Sequence, residues 1–357
     1  MPDLDPNLLA QLKRVKDHTI LEVVVGSRAY GINRPDSDTD VKGVCLIPDH
    51  RLYTGLKVFE QQDSGWKEAG EGDKCIYHLP KFLKLAGDCN PNIIELLFVN
   101  PEHIRVCSAM GRKLIANRQL FLTKRARHTF SGYAHAQLQR IKAHKRWLDN
   151  PPSEPKHHDF KHRHTLEIGP AGSEEFSERT RVTRLKLAWR EQDVFGAPGL
   201  TKDRMVTGNC PDWYHLEVEK YDKTGYEAAK KEWDHYQAWR KTRNEARAEL
   251  EAAHHYDTKH AAHLVRLLRM GYEILSEGRV EVYRSDREEL KAIRNGAWNY
   301  DTLLVYAESM DKKVAEAETA STLPWGPSWD AIEKLQMDMI GEALDAEMLR
   351  LDGRSKS

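Results

Sequence analysis

Cysteine is scarce in this chain of 357 residues: Cys45, Cys75, Cys89, Cys107 and Cys210 are scattered, with no CxxC pair among them. An odd, unpaired set of this kind argues against a disulfide framework and suits reduced thiols, so a cytoplasmic protein is expected. Long apolar runs are missing as well. No stretch approaches the roughly 18 residues that a membrane-spanning helix needs, and the opening MPDLDPNLLAQLKRVKDH lacks the apolar centre of a secretory signal. No membrane partner is expected. Net charge is absent too, because 55 Lys and Arg stand against 55 Asp and Glu. That balance excludes a generally basic surface, and any contact with nucleic acid has to be a local patch. Internal repeats and low-complexity tracts are also lacking.

The length allows two domains, or one domain with a large insertion. A short amphipathic helix is predicted over residues 7–17, then a strand at Ile20–Val25, a β-branched run closed by Gly26. A second strand is predicted from near Asp38 through Ile47, where Pro48 stops it, and a third at Asp73–His78. LPKFLKLAG and PNIIELLF read as helices, the latter opening on Asn90-Pro91, a pairing suited to a helix start. From Pro101 onward helices dominate, at 124–147, about 225–254, 257–277, 286–295, 299–320 and 328–349. Gly278 is placed to end one of them, and Ser285-Asp286-Arg287-Glu288 has the form of a capping box for the next. The fold class is α+β: a small mixed-sheet domain over 1–100, a helical domain over 101–149 and 256–357, and an accessory insertion over 150–255.

One stretch, VVVGSRAYGINRPDSDTDVKGVCLIP (residues 23–48), carries chemistry. Asp38 and Asp40 are one residue apart, so on a strand both carboxylates would leave the same face. Such a pair can hold one or two divalent ions, and oxygen ligands with spare water positions suit Mg²⁺. Gly26 lets backbone approach a ligand closely, Ser27 offers a hydroxyl, and Arg28 adds a cation near any bound phosphate. Either half alone would read as an ordinary turn, since Gly, Ser, Thr and Asp are common turn formers; the two together are more specific.

Strand, Gly-Ser, ten residues, then Asp-x-Asp leading into a second strand resembles the nucleotidyltransferase signature of the DNA polymerase β superfamily. GSRAYG followed by SDTDVKGV is similar to one branch of it, bacterial and phage nucleotidyltransferases associated with RNA ligation and repair. The likeness continues through Asp73 and Tyr77, KFLKLAGDCNPNIIELLF, SGYAHAQLQRI at 131–141 and DTKHAAHLVRLLRMGYEIL at 257–275. The resemblance implies a nucleotide-binding transferase that moves an NMP from an NTP such as ATP to a hydroxyl acceptor with loss of pyrophosphate. It implies two Mg²⁺ ions, with Mn²⁺ as an alternative, held by Asp38, Asp40 and a third carboxylate. Asp73 is the nearest match for that third group; the position two residues on, which could serve equally, is Cys75. By family association the acceptor is an RNA end, with a protein hydroxyl as the alternative. Two other readings stay open: a nucleotide- or RNA-binding module without turnover, and a protein-nucleotidylating enzyme of toxin–antitoxin type.

Other clusters stand beside the motif. Lys259, His263 and Arg266 fall on one polar helix stripe opposite Leu264, Leu267, Leu268 and Gly271, where they could face a triphosphate or simply water. Residues 123–148 hold Lys124, Arg125, Arg127, Arg140, Lys142, Lys145 and Arg146 with no acidic residue, the best local patch for nucleic acid, with Tyr133 or Trp147 available to stack on bases. Phe130, Ala134, Leu138 and Ile141 mark the packing face of that same helix. His157, His158, His162 and His164 with Asp159 match no strong zinc spacing and read as an exposed loop. Trp233, Tyr236 and Trp239 read as the buried seam of a charged helix, and Glu95, amid Ile93, Ile94, Leu96 and Leu97, as a buried acid.

Overall fold

In the computed structural model the described residues are 6–55, 57–63, 65–66, 72–168, 214–242 and 245–355. They fall into two compact units, residues 1–148 with 246–357, and residues 149–245.

The first unit is α+β. Its sheet comprises β1 (Thr19–Val24), β2 (Val41–Cys45), β3 (Gln61–Gln62), β4 (Lys74–His78) and β5 (Ile104–Cys107), in the order β3-β4-β2-β1-β5. β1 runs antiparallel to both β2 and β5, while β2 and β4 are parallel, with Val41 opposite Lys74 and Lys42 opposite Cys75. The sheet is therefore mixed. α1 (Pro6–Asp17) covers one face, where Val15 packs with Cys45, Ile47 and Ile76. α2 (Gly26–Ala29) follows β1 directly; α3 (Leu79–Gly87), α4 (Pro91–Ile94) and α5 (Ala109–Ala116) follow along the chain. The main core runs from the other face of the sheet, Leu21, Val23 and Val44, through Phe82, Leu83 and Ile94 into the helices.

α6 (Ala126–Asp149) begins the helical part. Two further helices, α7 (Lys223–Thr242) and α8 (Glu245–His254), lie in the 150–255 region, and α9 (Thr258–Glu277), α10 (Arg287–Arg294), α11 (Tyr300–Ala320) and α12 (Trp329–Ser355) complete the chain. α9 buries twelve of its 20 residues, more than the single apolar stripe of a surface helix supplies, so it is the central helix of this part. Each buried Leu or Ile contributes roughly 1.5–3 kcal/mol. α9 packs against α10 and α11. It begins at Asp257, whose side chain accepts from the His260 amide at 3.0 Å, and ends at Gly278, with φ of +64°.

Asn90 caps α4 as its sequence suggests, accepting from the Asn92 amide at 3.0 Å. The capping box expected at residues 285–288 does not form. Asp286 precedes α10 without capping it, because its carboxylate takes Arg284 at 2.8 Å and Arg269 at 2.6 Å, while the Ser285 hydroxyl turns to Glu281.

The second unit contains the antiparallel pair β6 (Lys161–Ile168) and β7 (Tyr214–Tyr221), followed by α7. The loop-like reading of the His-rich stretch is corrected here. His157 and His158 lie in a short 3-10 turn that leads into β6; His157 stacks on Tyr226 at 4.1 Å and is hydrogen-bonded to the Tyr221 hydroxyl at 2.7 Å. The side chains of His162 and His164, and all of Cys210, lie outside the described residues. On α7, Trp233, Tyr236 and Trp239 form a half-buried aromatic stripe with ring centroids 5.7 and 5.8 Å apart. No described helix is long and apolar enough to cross a membrane.

Candidate active site

β1 is followed by Val25, whose amide donates to the Asp40 carbonyl at 2.9 Å, and the Val41 amide donates to the Asp73 carbonyl at 2.9 Å. These two bonds tie the end of β1 to the starts of β2 and β4. All three chain segments that carry the motif therefore meet at one end of the sheet. Asp38, Asp40 and Asp73 stand just before the strands predicted to contain them, because ladder pairing begins at Val41 and Lys74. Position 40 precedes the Val41–Lys74 register pair on one strand as position 73 does on the other. The Asp73 amide donates to Asp40 Oδ1 at 3.1 Å.

Two glycines leave room for these carboxylates. Gly26 has φ of +70°, and a Cβ there would lie 2.9 Å from Asp40 Oδ2. A Cβ on Gly72 would lie 2.5 Å from Asp40 Oδ1 and 3.0 Å from the Cβ of Asp38. Gly72 thus brings Asp38 and Asp40 together: any side chain at this position would fill the space they share. Asp38 and Asp73 are exposed and Asp40 half-exposed. This set of water-facing carboxylate oxygens around a bare backbone fits a hard divalent cation. Cys75, the alternative to Asp73, is less suited, because burial above all raises its thiol above the ordinary value, whereas Mg²⁺ takes oxygen ligands.

Arg28 is engaged within the protein. Its Nη2 donates to the Ser37 carbonyl at 2.6 Å and its Nε to the Asp38 carbonyl at 3.3 Å, so it holds the loop that presents Asp38.

The stripe expected of Lys259, His263 and Arg266 divides. Lys259 is exposed, but burial first, and then the charges of Arg266 and other neighbouring basic groups, hold His263 well below the ordinary imidazole value. Arg266 is buried, at 1 % exposure, and is not a solvent-facing cation. It pairs with Glu95, and its guanidinium lies 3.8 Å from the centroid of the Tyr30 ring. Burial opposes the cation, and Glu95 and Tyr30 more than offset it, so Arg266 stays charged. Its Nη2 has no hydrogen-bond partner among the described residues; the π face of Tyr30 offers the guanidinium its electrostatic compensation. Tyr30 in turn closes α2, donating its amide to the Gly26 carbonyl at 3.1 Å, and burial pushes its phenol far up, with Glu95 and Asp40 adding to the effect. Tyr30 and Gly72 are the residues that sequence reasoning missed. GSRAYG contains Tyr30 as its fifth letter, which was the signal on hand.

The basic run also divides. Lys124 is buried beneath Trp325 at 4.5 Å, Arg125 pairs with Asp88 at 2.5 Å, and Arg127 grips Asp311 at 2.9 and 3.2 Å. These three serve internal contacts. Arg140, Lys142 and Arg146 are exposed on the later turns of α6, and Lys145 lies 5.3 Å from the Tyr300 ring. Tyr133 accepts from Asn90 at 3.0 Å, and Trp147 stacks on His144.

One end of the mixed sheet thus gathers a Gly-Ser turn, an Asp-x-Asp pair and a further Asp. Residues 4–154 match the model of RlaP, the RNA repair pathway DNA polymerase beta family. The match ends before residues 257–275, so the likeness read there stands outside it. The matched family is one of nucleotidyltransferases, which act on nucleotide substrates. No curated protein and no solved structure matches the chain.

Proposed function

We propose that this chain is a Mg²⁺-dependent nucleotidyltransferase that moves an NMP from an NTP to a hydroxyl at an RNA end. The observation that carries the reading is the gathering of Gly26, Asp38, Asp40 and Asp73 around the bare backbone of Gly72. Asp38 and Asp40 would hold Mg²⁺, or Mn²⁺ in its place, with Asp73 completing the set. When bound, such ions neutralise phosphate charge and stabilise both the attacking and the leaving oxygen of an in-line displacement.

The acceptor oxygen attacks the α-phosphorus, the α–β phosphoanhydride bond breaks, and pyrophosphate departs. Asp73, exposed at the edge of the cluster, is positioned to take the proton that the acceptor hydroxyl loses. The Gly26-Ser27 turn approaches the triphosphate through backbone amides, while Arg28 keeps the Asp38 loop in place. The cations late in α6, exposed Arg140, Lys142 and Arg146 with half-buried Lys145, supply a sequence-tolerant track for RNA phosphates. Lys259 is a further exposed cation for phosphate, and Arg266 acts through Tyr30.

Incubation with each radiolabelled NTP, Mg²⁺ or Mn²⁺ and total RNA tests the proposal. Label entering RNA in wild-type protein, and not in Asp40→Asn, is the expected result. Label on protein would change the acceptor, and NTP binding with no turnover on RNA, DNA or protein would leave only a binding module.

A further inference from the structure

Far along the sequence from the carboxylates of the motif, a second group of ligand-type side chains converges where α6 meets the start of α9. His144 Nδ1 lies 3.0 Å from Asp257 Oδ2, His260 Nε2 lies 3.5 Å from the same oxygen, and all three atoms fall within 4.8 Å of one another. Among the described residues this is the one group of three or more His, Cys, Asp or Glu whose ligand atoms come so close. From these atoms we infer a transition-metal site, His144–Asp257–His260, of the Zn²⁺ type.

The spacing supports it. Ligands about 2.0–2.1 Å from a tetrahedral ion stand roughly 3.3–3.4 Å apart, and the distances from Asp257 Oδ2 to the two imidazoles lie on either side of that edge. The chemistry also agrees: two imidazoles and one carboxylate form the borderline set that favours first-row ions such as Zn²⁺ or Fe²⁺ over Mg²⁺. The carboxylate is already oriented, because Asp257 Oδ1 accepts the His260 amide at 3.0 Å while Oδ2 faces both rings. His144 is fixed from behind by Trp147, stacked at 5.6 Å. Second contacts of this kind are what set ligand orientation in metal sites.

Burial adds a direction of access. The Asp257 side chain has no exposure, while His144 and His260 keep 12 % and 18 %. Solvent therefore reaches the imidazole side only. Three protein ligands leave a fourth position for water or an anion, unlike the four-ligand shell of a purely structural zinc site. The site would fasten α6 to α9.

Metal-stripped full-length protein titrated with Co²⁺ provides the test, since imidazole-ligated Co²⁺ of low coordination number absorbs in the visible. One visibly absorbing Co²⁺ per chain, displaced by Zn²⁺, is expected, together with a Zn²⁺-induced rise in melting temperature. Asp257→Asn can still cap α9 but is a poor ligand, and His260→Gln keeps a polar side chain; each should weaken Co²⁺ binding by at least about a hundredfold, the upper end of what losing even an outer contact costs. Circular dichroism establishes that both variants fold. His157→Ala/His158→Ala should give the same visible Co²⁺ absorption as wild type. Absence of the visible Co²⁺ band in wild type, an unchanged band in Asp257→Asn and His260→Gln, or its loss in His157→Ala/His158→Ala would overturn the site.

Discussion

Tyr30 donates its phenolic proton to Glu95 Oε2 at 2.5 Å, across 65 residues of sequence, directly behind the turn that begins at Gly26. Arg266, from the central helix α9, completes the arrangement by pairing with Glu95 and covering the Tyr30 ring. The helical part thus grips the Gly26-Ser27 turn from inside. Arg284 and Arg294 extend that grip, the first through its amide to the Tyr30 carbonyl at 3.2 Å and the second through Nη1 to the Ile32 carbonyl at 2.7 Å.

Breaking this pair on one side should be severe. Glu95→Gln keeps a partner for Tyr30 but leaves the Arg266 charge buried and uncompensated, a loss of about 3–5 kcal/mol. Replacing both groups by apolar side chains, as in Glu95→Leu/Arg266→Met, should recover most of it, because the desolvation cost of both charges is removed together. Urea unfolding of the two variants against wild type measures the difference. A double variant as unstable as Glu95→Gln alone would show that the ion pair is more than a solved burial problem.

For the carboxylates, Asp38→Asn and Asp40→Asn should each lower NMP transfer by about a thousandfold or more, since removing an ion that supplies several kcal/mol of charge stabilisation has that consequence. Stability should change little, because Asp38 is exposed and Asp40 half-exposed. Single-turnover assays with saturating NTP, beside melting curves, separate the two effects.

Gly26 and Gly72 invite a paired comparison. Gly26→Ala places a side chain at φ of +70° and a Cβ 2.9 Å from Asp40 Oδ2, so it should cost about 1–2 kcal/mol in stability as well as activity. Gly72→Ala carries no such backbone strain, and its Cβ meets only the carboxylate side chains of Asp40 and Asp38 among its nearest contacts outside the backbone. Its stability should therefore stay within about 1 kcal/mol of wild type, while transfer falls and the Mg²⁺ concentration for half-maximal rate rises. An active Gly72→Ala enzyme with unaltered Mg²⁺ dependence would show that Asp38 and Asp40 do not work as a pair.

How much of the fold and site was legible beforehand follows the distance over which each feature is decided. The Gly26-Ser27 turn and Asp38-x-Asp40 could be read because their meaning lies in local spacing and in the strands around them. The strand starts were shifted slightly, since ladder pairing begins after the aspartates rather than at them. Arg266 was misread because helical periodicity shows only which face a residue takes, and the acid it neutralises is 171 residues away. Arg127 went the same way: its partner, Asp311, is 184 residues distant. Ser285-Asp286-Arg287-Glu288 had the right letters for a cap, but the guanidinium groups of Arg284, two residues before, and of Arg269 from α9 claimed the carboxylate.

The same separation predicts how RNA binding divides along α6. Arg140→Ala/Lys142→Ala removes two exposed cations, so it should weaken RNA binding across sequences and reduce the salt slope by about 1–2, near 0.7 for each single-strand phosphate no longer neutralised. Arg127→Ala should instead lower stability, since it breaks a two-point pair with Asp311, and leave the salt slope as it is. Filter binding over a range of salt concentrations distinguishes them. A lowered slope in Arg127→Ala would mean that the Asp311 pair opens when RNA binds.

His78 gives the fold a pH dependence whose sign can be worked out. It is buried at the end of β4 against Tyr53, whose hydroxyl is 3.1 Å from its Nε2, and burial lowers its pKa to about 4. An unfolded His titrates near 6.5, so between those values the unfolded chain binds the extra proton and the folded chain does not. Its contribution is fully present above about pH 6.5 and is lost as pH falls toward 4, by roughly 3 kcal/mol in all. Asp49, held far below the usual carboxylate range by hydrogen bonds from Arg51 and Arg14, loses its own contribution only below about pH 4, the ordinary Asp value, and the two windows can be measured apart. Urea unfolding at pH 7 and pH 5 should show wild type losing stability between them, and His78→Gln, which cannot titrate, losing less; equal losses would place the titrating group elsewhere.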